Sequence, residues 1–212
     1  MENPVIILGA GYIGRQAKEI LEKNGNVVFG FLDDNKKLHN TEIDNITVLG
    51  STDDETFLKL IGKKCDVAVT LDENKVRKNV VDLLNEDYKA QPVNVISQMA
   101  NIAASADMGH GNFVDHGVTF GPGSSIGSHC IIQTNAIIGT EAKLGDFVQV
   151  GAGSIINSGS EIGDEVFIGS GVTIVGGIAV GKGARVGAGS VVVAPVKAGE
   201  TVFGNPAQKI KT

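Results

Sequence analysis

The chain carries two successive periodicities, and they predict two domains: an open α/β unit and then a coil of short parallel strands. Up to residue 98, apolar runs of strand length alternate with segments of helical period. From about Ile102 a six-residue period replaces this alternation. Glycine is spread just as unevenly, with seven of the 29 before residue 99 and twenty-two after it. That content is about twice the usual ~7%. No strict Gly-x-y run exists, which excludes a collagen. No apolar run reaches the ~18 residues of a spanning helix, so membrane insertion is not expected.

In the first part, Val5-Ile6-Ile7-Leu8 enters the loop Gly9-Ala10-Gly11-Tyr12-Ile13-Gly14. Helical spacing continues through Ala17, Ile20 and Leu21 until Asn24-Gly25 stops it. A second strand, Val27 to Leu32, ends on Asp33-Asp34. Further strands are expected at Ile46–Leu49, Val67–Thr70 and Val93–Ile96, with helices around Asp53–Ile61 and Lys75–Leu84. This βαβ order makes residues 1–98 a small Rossmann-like domain with a parallel sheet of four or five strands, half of a full dinucleotide fold.

The second part places an apolar residue at every sixth position from Ile102 to Val192, sixteen times without a slip. Four residues after most of them stands a small or β-branched residue, as at Ser124, Cys130, Ala136, Val148, Ser160 and Val172. Glycine often follows the apolar residue directly, as in Ile126-Gly127, Leu144-Gly145 and Ile162-Gly163. Successive amphipathic strands would show period two, not an invariant six. A hexapeptide solenoid accounts for the pattern: each unit is a short strand plus a corner, and three units close one triangular coil. The coil is expected over residues 99–194, with a C-terminal cap or tail from 195 to 212.

Eighteen basic against twenty-four acidic residues give a net charge of −6, and no basic stripe is present, so nucleic acid is not an expected partner. Cys65 and Cys130 lie far apart without metal or redox spacing, so both are expected as small buried apolar residues and no metal is expected. The N-terminus lacks a basic segment and a cleavage site, which points to the cytoplasm.

With these pieces in hand, the repeats resemble the hexapeptide acyltransferases, whose coil is a left-handed parallel β-helix. The whole chain resembles their nucleotide-sugar branch: the sialic acid O-acetyltransferase-like group, with the UDP-4-amino-sugar N-acetyltransferases. The matching pieces are Gly9 to Gly14, Phe31-Leu32-Asp33-Asp34, the sixteen hexads, and Gly204-Asn205-Pro206-Ala207. The fold class implied is an α/β half-Rossmann domain followed by a left-handed parallel β-helix. The function implied is acetyl-CoA-dependent transfer of an acetyl group to a nucleotide-linked, UDP-type amino sugar of surface glycans, by a homotrimer. Flat coil faces with few charges point to self-association as well.

The resemblance assigns candidate residues. Gly9, Gly11, Tyr12, Ile13 and Gly14 would hold nucleotide phosphate, with Asp33 and Asp34 accepting hydrogen bonds from base or ribose. The same loop suits NAD by itself, but the domain is too short for both mononucleotide halves. The glycines could also serve a tight turn alone, and the aspartates a cap. Arg77 is either a phosphate partner or a solvated helix-face arginine. The resemblance lays the donor's pantetheine arm along the coil, where Gln149, Gly151, Ser158, Ser170 and Ala188 are candidates and Lys209 reaches toward its phosphates. Most of these could equally be plain corner residues.

Relatives supply a base as a His followed by Glu, in the hexad matching Ile138 to Lys143, and a second His in the next. Here the Glu remains as Glu141, but the first His is Thr140 and the second is Gln149. A threonine hydroxyl is no base near neutral pH. Three explanations stay open: an amine acceptor that needs no strong protein base, a different base, or loss of catalysis with UDP-sugar binding retained. For the second, His116 holds the same hexad place as Thr140, one coil and one face away, beside Asp115. Transfer to a sugar hydroxyl is a further alternative.

Overall fold

The computed structural model describes residues 3–210. The chain divides into two compact units, one ending at Gln98 and the other beginning at Met99.

In the N-terminal unit, strands β1 (Val5–Leu8), β2 (Val28–Leu32), β3 (Glu42–Ile43), β4 (Ile46–Gly50) and β5 (Asp66–Val69) form one sheet in the order β3-β4-β2-β1-β5. All four residues of β1 are buried, as a central strand of a parallel sheet requires. Helix α1 (Tyr12–Lys23) turns Ile13, Gly14, Ala17, Ile20 and Leu21 inward, a single stripe at helical spacing. Its end at Asn24 is followed by Gly25 at φ +91, the left-handed residue that closes a helix cheaply. Helix α2 is one turn, Glu55–Leu58, started by the Asp54 carboxylate accepting from Thr56 N at 2.9 Å. Helix α3 runs Asn74–Asp87.

Two expectations are corrected. Val93–Ile96 does not extend the sheet: Val93 N donates once to Val67 O at 2.8 Å, and only Val95–Ile96 is a strand, outside that sheet. Pro92, with no N–H to give, cannot take part in a ladder there. Conversely, β3 was not foreseen. It pairs antiparallel with β4 through Asp44 and Asn45, both at positive φ (+48 and +67), the geometry of a tight type I′ hairpin.

In the C-terminal unit the strands stack on three sides. Side one holds Phe113–Val114, Ile131–Ile132, Gln149–Val150, Phe167–Ile168 and Arg185–Val186. Side two holds six strands, from Asn101–Ile102 through Ile137–Ile138 to Val191–Val192. Side three holds five, from Asp107–Met108 to Ala179–Val180. Each residue pairs in parallel with the one eighteen further on, for instance Phe120 with Ile138 and Ile138 with Ile156. The unit is a left-handed parallel β-helix.

The second residue of each strand points inward, and Val114, Ile132, Ile138, Val150, Ile156, Ile168 and Ile174 are fully buried. Each such side chain contributes ~1.5–3 kcal/mol through burial. Small corner residues tie coil to coil: Ser154 Oγ donates to Gly169 O at 2.8 Å and accepts from Val172 N at 3.1 Å. Cys130 occupies the same kind of corner, buried, with Sγ accepting from Val148 N at 3.3 Å. After Val192 the coil continues with a turn two residues shorter, since Val180 bridges to Val196 and Arg185 pairs with Thr201. Thr201–Phe203 then folds back in antiparallel pairing with Gln208–Lys209. The segment expected to begin a tail at 195 thus starts as another layer of coil.

Candidate functional site

The loop between β1 and α1 stands at the carboxyl end of the sheet, where ligands of open α/β folds sit. Gly9 has φ +108, and a Cβ on Gly14 would lie 1.9 Å from Gly9 O, so both glycines are required by the turn itself. Gly11, at the N-cap of α1, differs: nothing lies within 4 Å of where its Cβ would be. The backbone there is open, and the free N–H groups of the first helical turn face outward with a positive dipole end. Tyr12 beside it is 85% exposed, while Ile13 is buried and belongs to the core.

Asp33 braces this loop. One carboxylate oxygen accepts from Ala10 N and the other from Asn35 N, both at 2.8 Å. His39 Nε2 lies 2.7 Å from Asp33 O and donates to it. Asp34 Oδ1 accepts from Thr52 N and Oγ1 at 2.9 and 2.8 Å. Both aspartates therefore already hold backbone in place. Arg77 is neither a solvated helix-face residue nor aimed at open space: it is 1% exposed, and its guanidinium donates to Leu71 O (2.7 Å), Asp72 O (3.2 Å) and Asn74 Oδ1. Nη1 and Nη2 are thus engaged around the β5–α3 connection, and the buried guanidinium serves the fold there.

On the coil, the edge that follows side one stacks His116, Thr134, Ala152, Ser170 and Ala188 at intervals of eighteen. Asp115 is 1% exposed and Nδ1 of the neighbouring His116 lies 2.7 Å from its Oδ1, which also accepts from His116 N at 2.7 Å. Thr134 Oγ1 donates to the other oxygen. The carboxylate can only accept, so Nδ1 carries the proton and Nε2 is left with its lone pair. The His116 side chain is 28% exposed. Gly151 lies at this edge too: a Cβ there would meet Ser170 N at 2.4 Å, and Gln149 precedes it on side one.

The edge that follows side two stacks Pro122, Thr140, Ser158 and Gly176. Thr140 is exposed, and its carbonyl accepts from Gly159 N at 3.0 Å. Glu141 beside it is exposed and held at φ +57, in the left-handed region that costs a non-glycine residue ~1–2 kcal/mol. Within one chain, then, the structure joins His116 to Asp115 and Thr134, and Thr140 to Glu141, but puts these two groups on different edges. Lys209 lies apart from both, its Nζ 3.0 Å from Glu200 Oε1, and that ammonium holds the Glu200 carboxyl below the usual range. Thr134 was not foreseen; counting one eighteen-residue coil from His116 finds it.

A groove of about 730 Å³ runs along side three, lined by Lys143, Glu161, Asp164, Ala179, Pro195 and Lys197 among others. None of the candidate residues lines it. Concavity and chemistry therefore disagree, and the hydrogen-bonded Asp115–His116–Thr134 group carries more chemical meaning than an open channel.

Residues 4–84 match the family described as the PglD N-terminal domain, and residues 141–176 and 159–194 match the bacterial transferase hexapeptide (six repeats). Among solved structures, the chain is similar to the acetyltransferase domain of PglB from Neisseria gonorrhoeae in complex with acetyl coenzyme A. Identity is 26%, the TM-score is 0.91, and 99% of this chain and 100% of that one are covered. It is equally similar to a histidine-to-asparagine mutant of perosamine N-acetyltransferase from Caulobacter crescentus in complex with CoA and GDP-perosamine (26%, TM-score 0.91, 100% and 99% covered). WeeI from Acinetobacter baumannii follows at 26% identity, TM-score 0.89, with 99% and 100% covered. No curated protein sequence matches the chain.

Proposed function

Since this chain belongs with the hexapeptide-repeat acyltransferases that carry a PglD N-terminal domain, we propose that it transfers the acetyl group of acetyl-CoA to the amine of a nucleotide-linked amino sugar. The observation that supports this most is the match of both units together, end to end, to the acetyltransferase domain of PglB and to perosamine N-acetyltransferase. Neighbours are described with acetyl-CoA, with CoA and with GDP-perosamine, which supports a thioester donor and a nucleotide-sugar acceptor here. One of them keeps both ligands with a histidine replaced, so binding there does not require that side chain.

In this reading the open backbone at Gly11 and the N-terminal turn of α1 take the nucleotide's diphosphate, and Asp33 shapes the loop while staying within reach of ribose or base. The donor lies along the coil near Ser158, Ser170 and Ala188, whose small side chains leave backbone groups accessible. The active form is a homotrimer in the cytoplasm. Side two supports it: its outward residues, Asn101, Thr119, Ile137, Ile155, Thr173 and Val191, carry no charge, and Ile137 is 40% exposed. Side three, with Asp107, Lys143 and Glu161 outward, suits solvent instead.

Attack by an uncharged amine on the thioester carbonyl forms the C–N bond, and collapse expels the thiolate. Incubating the protein with acetyl-CoA and a panel of UDP- and GDP-linked amino sugars, with CoA thiol release as the readout, tests the proposal. Thiol release with 4-amino but not 4-hydroxy sugars is expected. Release with hydroxy sugars alone would reassign it as an O-acetyltransferase, and release with none would remove the enzyme reading.

A further inference from the structure

Relatives' base position is Thr140 in this chain, yet a different histidine is already held in the geometry a base needs. We propose that His116 is the general base of the transfer, and that it serves a site completed by the Thr140 edge of a neighbouring copy. This rests on the acetyltransferase reading above.

Along the edge of Asp115 the equivalent place is Gln133 in the next coil and then glycine, at Gly151, Gly169 and Gly187, so Asp115 is the one carboxylate of that column. A buried carboxylate there is costly unless every oxygen is satisfied. Both are: Oδ1 by Nδ1 and N of His116 at 2.7 Å, Oδ2 by Thr134 Oγ1. The arrangement fixes the imidazole ring and its tautomer and leaves Nε2 as the free acceptor. This is the division of roles by which a carboxylate orients a histidine base. A solvated structural histidine has no need of a buried partner.

The edges carrying His116 and Thr140 are the two borders of side two, the uncharged face. When three copies pack that face around a threefold axis, each copy's His116 edge meets the next copy's Thr140 edge. His116 and Thr140 are then offset by one coil and a third, ~6 Å along the axis at ~4.8 Å per layer. That gap admits an acceptor amine between them. The exposed Ser158, one coil beyond Thr140, continues the same edge toward the donor.

His116 Nε2 takes a proton from the amine as its lone pair forms the C–N bond and the carbonyl pair moves to oxygen. The carbonyl re-forms, the C–S bond breaks, and sulfur leaves with its electron pair. The imidazolium returns the proton to that thiolate, giving amide and free thiol.

Two variants test the base with GDP-perosamine, a UDP-4-amino sugar and acetyl-CoA. His116→Ala removes the ring, and His116→Gln keeps an N–H for Asp115 without a base. In both, kcat is expected to fall ~10²–10⁴-fold with KM for each substrate within about twofold, a split that loss of binding or of fold would not give. A glutamine variant with wild-type kcat overturns the assignment, because a structural role is what glutamine would rescue. For the shared site, His116→Ala is co-expressed with Ser158→Trp, or with Thr140→Trp if Ser158→Trp alone stays active. Every mixed trimer then contains one site intact on both edges, so a random 1:1 mixture recovers ~25% of wild-type activity. Activity no higher than that of the separate parents overturns the shared site. Wild-type turnover unaffected by His116→Ala sinks this inference alone, whereas a wild type inert toward all acceptors sinks the functional reading and this inference with it.

Discussion

The two units keep their shape by different means. In the N-terminal unit, individual side chains hold the loops: Asp33 ties Ala10 to Asn35, Asp34 ties down Thr52, and Arg77 gathers the carbonyls of the β5–α3 connection. In the coil the backbone does this work rung by rung, as in Gly121 N to Ile138 O and Gly139 N to Ile156 O, each at 2.8 Å. A polar side chain in the first unit is therefore structural unless shown otherwise. In the second, the buried polar groups are mostly corner serines such as Ser154 and Ser160, and a buried carboxylate at Asp115 stands out from that background. The contrast teaches where to look for chemistry: at exceptions to a strict repeat.

Substitutions in each unit test this contrast. The largest effect is expected for Ile156→Ala, at the fully buried centre of the coil, with a loss of ~4 kcal/mol in chemical denaturation. Gly14→Ala should cost ~3 kcal/mol, because its Cβ would stand 1.9 Å from Gly9 O, and should also distort the β1–α1 loop. Arg77→Met leaves the Leu71 and Asp72 carbonyls without their donor and should cost ~2 kcal/mol. Where the variant is folded, its KM for nucleotide sugar should match wild type; a rise of tenfold or more would return Arg77 to the ligand site.

Smaller effects probe the corners. Glu141→Gly relieves a left-handed non-glycine residue and should raise stability by ~1 kcal/mol. If activity falls at the same time, Glu141 is kept for chemistry at the cost of stability. The smallest change is expected at Lys209. The Lys209 ammonium depresses the Glu200 pKa, so their pairing stabilises the fold at neutral pH and is lost as pH falls through that lowered pKa. Lys209→Ala should raise the Glu200 pKa toward its ordinary value in an NMR titration, and the melting difference from wild type should fade in acid.

Much of the coil could be seen in the residues beforehand. An apolar residue every six positions sets inward direction, register and layer count together, because three units close a coil and each layer pairs with the next. The N-terminal unit was harder. Its short strands have no long period to average over, so β3 escaped notice and Val93–Ile96 was misplaced, each decided by a few residues at a turn or beside a proline. The candidate site was harder still. Thr140 and Gln149 could be noticed as departures from a pattern, and His116 as a histidine at a matching place, but spacing cannot say which side chain turns toward which.

From the amino-acid sequence alone come two units, the coil and its eighteen-residue layer, since these follow from periodicity along the chain; it is the resemblance, not the period, that marks Thr140 as the place of relatives' base. Only the tertiary structure decided that Asp115, His116 and Thr134 meet, that Arg77 turns into the N-terminal unit, and that the His116 and Thr140 edges border the same uncharged side. Those are matters of rotamer and hydrogen-bond partner across coils and loops, where a fraction of an ångström separates a working pair from a neighbouring one.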